Sequence, residues 1–454
     1  MSWVIIKSSC NLKPNAQTKT GRLSLSELDQ IGIITHAPAI FFYKPSLSNG
    51  HQEAFTSIIT TLKDSLSRVL VPFYPLAGRV HWIGHGRLEL HCNAMGIQFL
   101  EAESQSKLED FGDFSEFSKF KNLIPHVDYT IPMHEIPLLF VQVTKFQCGG
   151  FSICFHVSHV VIDGQSALHF IAEWARIARG EPLGVRPVFD RKLLRAGDPP
   201  ISQKLFHHKE FDELPLLLGQ SNNYEERRKK TTALSLKLTK AQVEMLKNKA
   251  NERKSMDNGG GYTRYETLAA HVWRSACKAR EHKPEQPTAM GILIDARKRM
   301  EPQLPDSYFG NAIHEVIAVS TSGELVSKPL GFACGKIRDA IQNSTSDYMN
   351  SAIDFCKNQQ DLTKFQDIYT LRGTDEGPSY GNPNLSLVSW LTLPIYGVDF
   401  GCGKEIYMGP GSLDCDGDAY LMQSHDSDGS LVLAICLQVA HIKAFQRYFY
   451  EDIM

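Results

Sequence analysis

No run in this 454-residue chain approaches the roughly 20 apolar residues that a membrane-crossing helix needs, so no membrane partner is expected. Charge of one sign is equally scarce. Lys and Arg number 48 against 50 Asp and Glu, and a net charge of -2 lacks the basic balance of a nucleic-acid-binding protein. Cysteine pairs at CxxC spacing are missing too: the ten cysteines are scattered, with Cys92, Cys154 and Cys436 in apolar or strand-like stretches. They read as reduced, mostly buried thiols rather than a disulfide framework. The segment Met1–Ser8 has too short an apolar core for a secretory signal and lacks the Arg-rich character of a transit peptide, which leaves a cytoplasmic location as the expectation. Neither a short-period repeat nor a low-complexity tract is present.

What is present is the composition of an ordinary soluble globular protein, 42% hydrophobic and 22% charged, in a chain longer than one core usually serves. Two mixed α/β domains are expected. Phe55, Ile58, Ile59, Leu62, Leu66 and Val69 recur at helical spacing until Pro72 and Pro75 end the pattern. Residues 87–100 and 136–146 read as strands, and Cys148-Gly149-Gly150 as the turn of a hairpin. Between about 180 and 220, Pro, Gly and charge accumulate and periodicity fades, which marks a crossover. The chain is therefore divided into 1–180, a linker over 181–220, and 221–454. Charged runs at 225–230 and 247–254, the second leading into a Gly-rich stretch at 259–261, read as solvated helical surface and loop. Residues 265–280 form another amphipathic helix, and short strands are expected to dominate the remainder.

Residues 151–158 alternate like a strand and end at His159, with Asp163 and Gly164 following; from Gly164 onward Leu168, Ile171, Ala175 and Ala178 take helical spacing. The His-to-Asp piece is thus a strand-to-helix turn, a position that exposes side chains to ligands. A neutral imidazole there can accept a proton from a nucleophile and return it to a leaving group, work that contributes roughly 10²- to 10⁴-fold. A lone histidine at a strand end is more often structural. A metal site of His156, His159 and Asp163 is a rival, but the two histidines would face differently and no fourth ligand is evident, so no metal is expected.

Weight comes from elsewhere in the chain. After strand-like residues 385–393 comes Pro394-Ile395-Tyr396-Gly397-Val398-Asp399-Phe400-Gly401-Cys402-Gly403. Together with His159-x-x-x-Asp163, it makes the chain resemble the BAHD family of plant CoA-dependent acyltransferases, whose signatures are HxxxD and DFGWG. Residues 72–79, 265–274, 295–297 and Tyr308-Phe309-Gly310-Asn311 match family stretches in the same order. The resemblance implies two similar domains related to chloramphenicol acetyltransferase, each a mixed β-sheet with flanking helices, joined by a long crossover and enclosing an active-site channel. It implies acyl-CoA as co-substrate with no permanently bound cofactor, and a monomer. His159 would be the general base, Asp163 would brace the turn through Arg297, and Trp390 would donate to the oxyanion. Val388 departs from the threonine some relatives carry. Asp399, Gly401 and Gly403 would support the fold, with Cys402 in place of the family tryptophan, a change expected to lower stability. Thr263 and Arg264 match a region that touches CoA.

Over most of its length the chain looks like spermidine hydroxycinnamoyl transferases in particular, which move hydroxycinnamoyl groups from hydroxycinnamoyl-CoA to spermidine nitrogens and make phenolamides. A polyamine needs carboxylates for its unreacted ammonium groups. Asp414, Asp416 and Asp418, with Asp375 and Glu376, are the candidates; solvated turn aspartates are the plainer reading. An O-acyltransferase using shikimate, quinate or another alcohol is the alternative, although Arg372 is offset from the arginine shikimate enzymes carry. A catalytically silent ligand-binding protein is a third reading, motivated by Cys402.

Overall fold

Alternating and β-branched residues place Phe151–Ser158 at an inner position of a six-stranded sheet. The computed structural model describes residues 4–44, 51–197, 206–252, 260–367 and 380–453. The sheet runs in the order Val4–Leu12, Ile97–Ser104, Leu139–Lys145, Phe151–Ser158, His36–Tyr43 and Tyr407–Pro410. Phe151–Ser158 is antiparallel to both neighbours, and Ile97–Ser104 is parallel to Leu139–Lys145. Both of its faces are covered. Phe41 and Phe155 lie beneath Trp174 of the helix Gly164–Ala178, whereas Phe42 on the opposite face meets Phe111, Phe120 and Phe146.

A second six-stranded sheet follows in the order Thr231–Leu238, Leu431–Gln438, Asp418–Gln423, Leu385–Ser389, Pro287–Asp295 and Ile313–Thr321. Leu236, Leu433, Leu387 and Ile292 on one face share a core with Trp273, Ile337 and Phe445 from the covering helices Arg264–Ala279, Leu330–Asn343 and Val439–Glu451. Ala434, Cys436 and Met422 on the other face belong to the core of the first sheet, and Trp390 and Tyr420 pack against it. The two sheet-containing domains therefore meet across the second sheet. The chain also crosses back: Tyr407–Pro410, far down the sequence, pairs with His36–Tyr43 and completes the first sheet.

Two sequence expectations change. The strand expected over 87–100 is two strands in different sheets, Arg87–Cys92 and Ile97–Ser104, because Ala94 and Gly96 take left-handed backbone (φ 51° and 96°) and turn the chain between them. The C-terminal portion holds more helix than expected. Leu330–Asn343, Ser346–Lys357 and Val439–Glu451 are helical, and in the first of these Gly331 and Gly335 weaken the local signal that burial of Ala333, Cys334 and Ile337 overrides. All ten cysteines are free. Among the described residues no helix is long and apolar enough to cross a membrane.

Candidate active site

The strand ends at Ser158, and Asp163 caps the next helix by accepting from Ser166 N at 2.9 Å. His159 stands half-buried at the head of this turn, with its backbone N–H donating to Thr35 O at 2.9 Å. Desolvation lowers the ring's pKa below the ordinary 6.5, while the Asp163 charge, the His159 backbone and the Asn311 side chain recover part of the loss. The neutral ring is the form present near pH 7.

Asp163 does not face a substrate. Its carboxylate, fully buried, lies 2.9 Å from both Arg297 Nη1 and Nη2 and also accepts from Ala312 N at 3.0 Å. Burial pushes this carboxyl up, but the Arg297 charge and four donors outweigh burial and hold it below the usual carboxylate range. Arg297 reaches on to Asp295 and to Ser166 Oγ, tying the turn to the strand Pro287–Asp295 of the second sheet.

A second buried pair underlies the same turn, and nothing in the sequence pattern had marked it. Asp29 accepts from Arg191 Nε at 2.7 Å and from Asn311 N at 2.8 Å; all three residues are buried. Arg191 donates through Nη2 to Val161 O at 3.1 Å, and Asn311 Nδ2 donates to His159 O at 2.7 Å and Val160 O at 3.1 Å. Three consecutive turn carbonyls are thus held. Gly310 is required here, since a Cβ would collide with the Arg191 guanidinium. Buried ions carry no periodicity, so the available signal was only the quoted Tyr308-Phe309-Gly310-Asn311 match.

Trp390 is half-buried just beyond Leu385–Ser389, its ring centroid 5.1 Å from that of Tyr420, and among the described residues nothing accepts from its indole N–H. Leu393, three residues on, lies against Gly164 beside the turn: a Cβ there would stand 3.5 Å from its Cδ1. The second signature sits apart from the base. Asp399 accepts from Gly401 N and Gly403 N at 2.7 and 2.9 Å, Phe400 packs edge-on to Trp174 at 4.8 Å, and Arg179 at the end of the helix Gly164–Ala178 donates to Asp399 O. It clamps that helix at the end opposite Asp163. Burial pushes the half-buried Cys402 thiol up to about 12, which leaves it unreactive.

The acidic candidates fare differently from their expectation. Asp416 is not available to a substrate ammonium: Arg280 Nη2 lies 3.1 Å from its carboxylate, and Asn382 N, Gln438 N and Gln438 Nε2 donate to it. Asp414 is exposed beside Thr231 on the sheet edge, its backbone carbonyl accepting from the Thr231 hydroxyl. Asp418 opens the strand Asp418–Gln423 and lies near Tyr380 and Tyr420. Asp375, Glu376 and Arg372 fall outside the described residues. Thr263 caps the helix Arg264–Ala279, its hydroxyl accepting from Glu266 N at 3.2 Å, and Arg264 is exposed next to it. The proposed metal set does not converge: the two His156 ring nitrogens lie against the carbonyls of Pro125 and His36, and the Asp163 oxygens are spent on Arg297 and backbone amides.

Comparison with known proteins adds to this geometry. A family model described as "Transferase family" matches residues 3–452. A hydroxycinnamoyl-CoA:piscidic acid hydroxycinnamoyltransferase from Actaea racemosa is 47% identical over 99% of this chain and 100% of its own length. A shikimate O-hydroxycinnamoyltransferase from Nicotiana tabacum is 39% identical over 98% of this chain and 99% of its own. Among solved structures, F. sporotrichioides TRI101 complexed with coenzyme A and T-2 superposes with a TM-score of 0.77 at 17% identity, covering 94% of this chain and 97% of that one.

Proposed function

The chain belongs to the BAHD acyltransferase family, and from that premise we propose that it moves a hydroxycinnamoyl group from its CoA thioester to a hydroxyl of a small hydroxy acid, with His159 as general base. Acyl-CoA is the co-substrate. The observation that carries the residue assignment is the place of His159 at the head of the strand-to-helix turn, where desolvation lowers its pKa and leaves a neutral ring able to take a proton. The acceptor O–H gives its proton to the imidazole as its oxygen forms a bond to the thioester carbonyl carbon. The resulting oxyanion receives the Trp390 indole N–H, a donor of a kind worth about 10²- to 10³-fold. Collapse breaks the C–S bond, and the imidazolium returns the proton to the departing CoA thiolate.

An alcohol suits this base better than spermidine does. Taking the lysine value as a stand-in, stripping an ammonium at pH 7 costs roughly 4 to 5 kcal/mol, and a histidine of lowered pKa is poorly matched to that task. The carboxylate cluster that favoured a polyamine is also reduced, because Arg280 already neutralises Asp416. The 47% relative is named for transfer from hydroxycinnamoyl-CoA to piscidic acid, and the 39% relative for O-transfer to shikimate. This reading therefore replaces spermidine acylation as the one the residues support best.

The test is turnover of coumaroyl-, caffeoyl- and feruloyl-CoA against piscidate, shikimate, quinate and spermidine. Esters are expected with at least one hydroxy acid; amide formation with spermidine alone overturns the acceptor assignment. His159→Ala is expected to lower kcat by about 10²- to 10⁴-fold while CoA still binds. Near-normal kcat would remove His159 from the chemistry.

A further inference from the structure

We propose, on the acyl-transfer reading above, that Glu315 is a specificity-determining residue: its carboxyl closes the far end of a hollow between the two domains and accepts a hydrogen bond from a substrate hydroxyl that does not react. It would be the group by which the site tells one hydroxylated substrate from another.

The register of the second sheet puts the residue in place. Tyr420 pairs with Val388, Leu293 stands beside Val388 just past the pair Ile292–Leu387, and Leu293 pairs with Glu315. These four side chains form one row across four strands, on the face that Tyr420 shares with its partner Ala434 and that meets the first domain. At one end of the row Tyr420 packs against the first core, its ring centroid 5.1 Å from that of Trp390. Beyond it the packing stops. Leu293, Val388 and Ile313 are apolar residues on the sheet, yet each is only half-buried and, among the described residues, none belongs to the core of either domain. An inner face that neither core fills is the wall of a hollow.

This hollow starts at the catalytic turn. Ile313 pairs with Asp295, whose carboxylate lies 3.1 Å from Arg297 Nη1, and Asn311, two residues before Ile313, donates to His159 O at 2.7 Å. Glu315 comes four residues after Asn311, which at the rise of a strand puts it at most about 13 Å further along the wall. A substrate extended from the base reaches that far, whereas the reacting atoms do not. Val388 offers no hydroxyl on the way, so polar recognition falls to the end of the row.

Gly291 makes room there. A Cβ at this position would stand 2.7 and 2.8 Å from Tyr380 Cε1 and Cζ and 2.9 Å from Glu315 Oε1, so the hydroxyl end of Tyr380 and the carboxyl meet over bare backbone. Apart from Tyr380, no donor or cation among the described residues serves Glu315. Glu210, another buried carboxylate of this domain, is by contrast engaged, accepting from the Tyr348 hydroxyl at 2.6 Å with His208 Nδ1 at 3.1 Å. Desolvation pushes the Glu315 carboxyl up to about 7, as befits a carboxyl in a hollow with lone pairs to spare. A hydroxyl suits it better than an ammonium. An ammonium drawn past an apolar wall gives up its hydration, which one buried ion pair repays poorly, while a hydroxyl gives up far less.

Two substrate pairs that differ by one hydroxyl locate the group that Glu315 meets: coumaroyl-CoA against cinnamoyl-CoA, and piscidate against benzyltartrate, which lacks the ring hydroxyl. The parent is expected to favour the hydroxylated member of one pair by about 10- to 100-fold in kcat/KM. Glu315→Met should bring that preference within about threefold of unity, and Glu315→Gln, whose amide oxygen still accepts, should keep most of it. Both variants remove a desolvated carboxyl, so both are expected to fold. Loss of the preference in the first pair assigns the phenol of the acyl group, and loss in the second assigns the acceptor. A preference unchanged by Glu315→Met in both pairs overturns the proposal. So does spermidine turnover that falls equally in the Gln and Met variants, because that dependence is on charge. Absence of acyl transfer to every acceptor would instead sink the acyl-transfer reading; the same pairs are then compared by calorimetric Kd, where a difference that depends on Glu315 upholds the hydroxyl site and its absence overturns it.

Discussion

Two turns in this protein are each closed by an aspartate, and the two aspartates do opposite kinds of work. Asp163 is sealed from solvent, takes both Arg297 terminal nitrogens at 2.9 Å, and holds the turn that carries His159. Asp399 is half-buried and accepts from two backbone amides of its own loop, shaping a clamp on the far end of the same helix. A desolvated carboxylate depends on its counterion, whereas a solvated one depends only on local hydrogen bonds. The difference ranks the two signatures: the first is a charge arrangement, the second a piece of scaffold.

The ranking is broken first, and most severely, at Arg297. Arg297→Met removes the counterion and leaves Asp163 buried without compensation, a change that costs about 3 to 5 kcal/mol. Urea unfolding at pH 7 should show that loss together with near-complete loss of turnover. Because Arg297 holds Asp163 low, the pair's stabilisation is present above the carboxyl's unfolded pKa and is lost as pH falls through its folded value. The gap between parent and variant should therefore narrow in acid. A loss below about 1 kcal/mol at pH 7 would place Asp163 in the same class as Asp399.

Glu315 sharpens the contrast from the other side. It sits in the strand Ile313–Thr321 with the Tyr380 hydroxyl on it and, among the described residues, no cation beside it. Desolvation pushes its carboxyl up from 4.5 to about 7, with Glu210 adding to the rise and Tyr380 opposing it. The sign is opposite to that of Asp163. The unfolded chain releases this proton at lower pH than the folded one, so stability falls as pH rises from about 4.5 to 7 and stays low above that. Glu315→Gln should therefore stabilise the protein by up to about 3 kcal/mol at pH 8 and by nearly nothing at pH 4.5, as read from unfolding midpoints at the two pH values. Equal effects at both would show that Glu315 ionises freely in the fold.

Much of this contrast was legible in the sequence and part of it was not. The strand-to-helix turn at 159–164 follows from a change of period beside a capping aspartate, and periodicity of that kind survives folding because the strand and helix are each covered on the expected faces. The Asp163–Arg297 contact was an expectation of family resemblance, since 134 residues separate the partners and no spacing rule reaches that far. Asp29 and Arg191 were missed for the same reason. Their meeting depends on the path of the crossover, and an isolated charge in a polar stretch looks like any solvated one until its burial is known. Asp416 shows the converse: three aspartates in five residues suggested a cation site, but Arg280 from a distant helix end had already occupied the central one. The helix Leu330–Asn343 was hidden because two glycines weaken a pattern that tertiary packing restores.

The smallest expected effect tests the scaffold side of the comparison. Asp399→Ala removes the acceptor for Gly401 N and Gly403 N, both in left-handed backbone at φ 95° and 96°, and these amides can turn to water because the loop is open on that side. The exchange of two protein hydrogen bonds for solvent costs about 1 to 2 kcal/mol. Phe400 stays anchored against Trp174 and Tyr43, so the helix keeps its packing although its terminal clamp at Arg179 loosens. The expected result is an unfolding midpoint lowered by a few degrees with the acid limb of the pH profile unmoved, because the base and its network lie at the other end of the helix. A shifted limb would mean that the loop acts on His159 through the helix axis, and the two turns would then form one device.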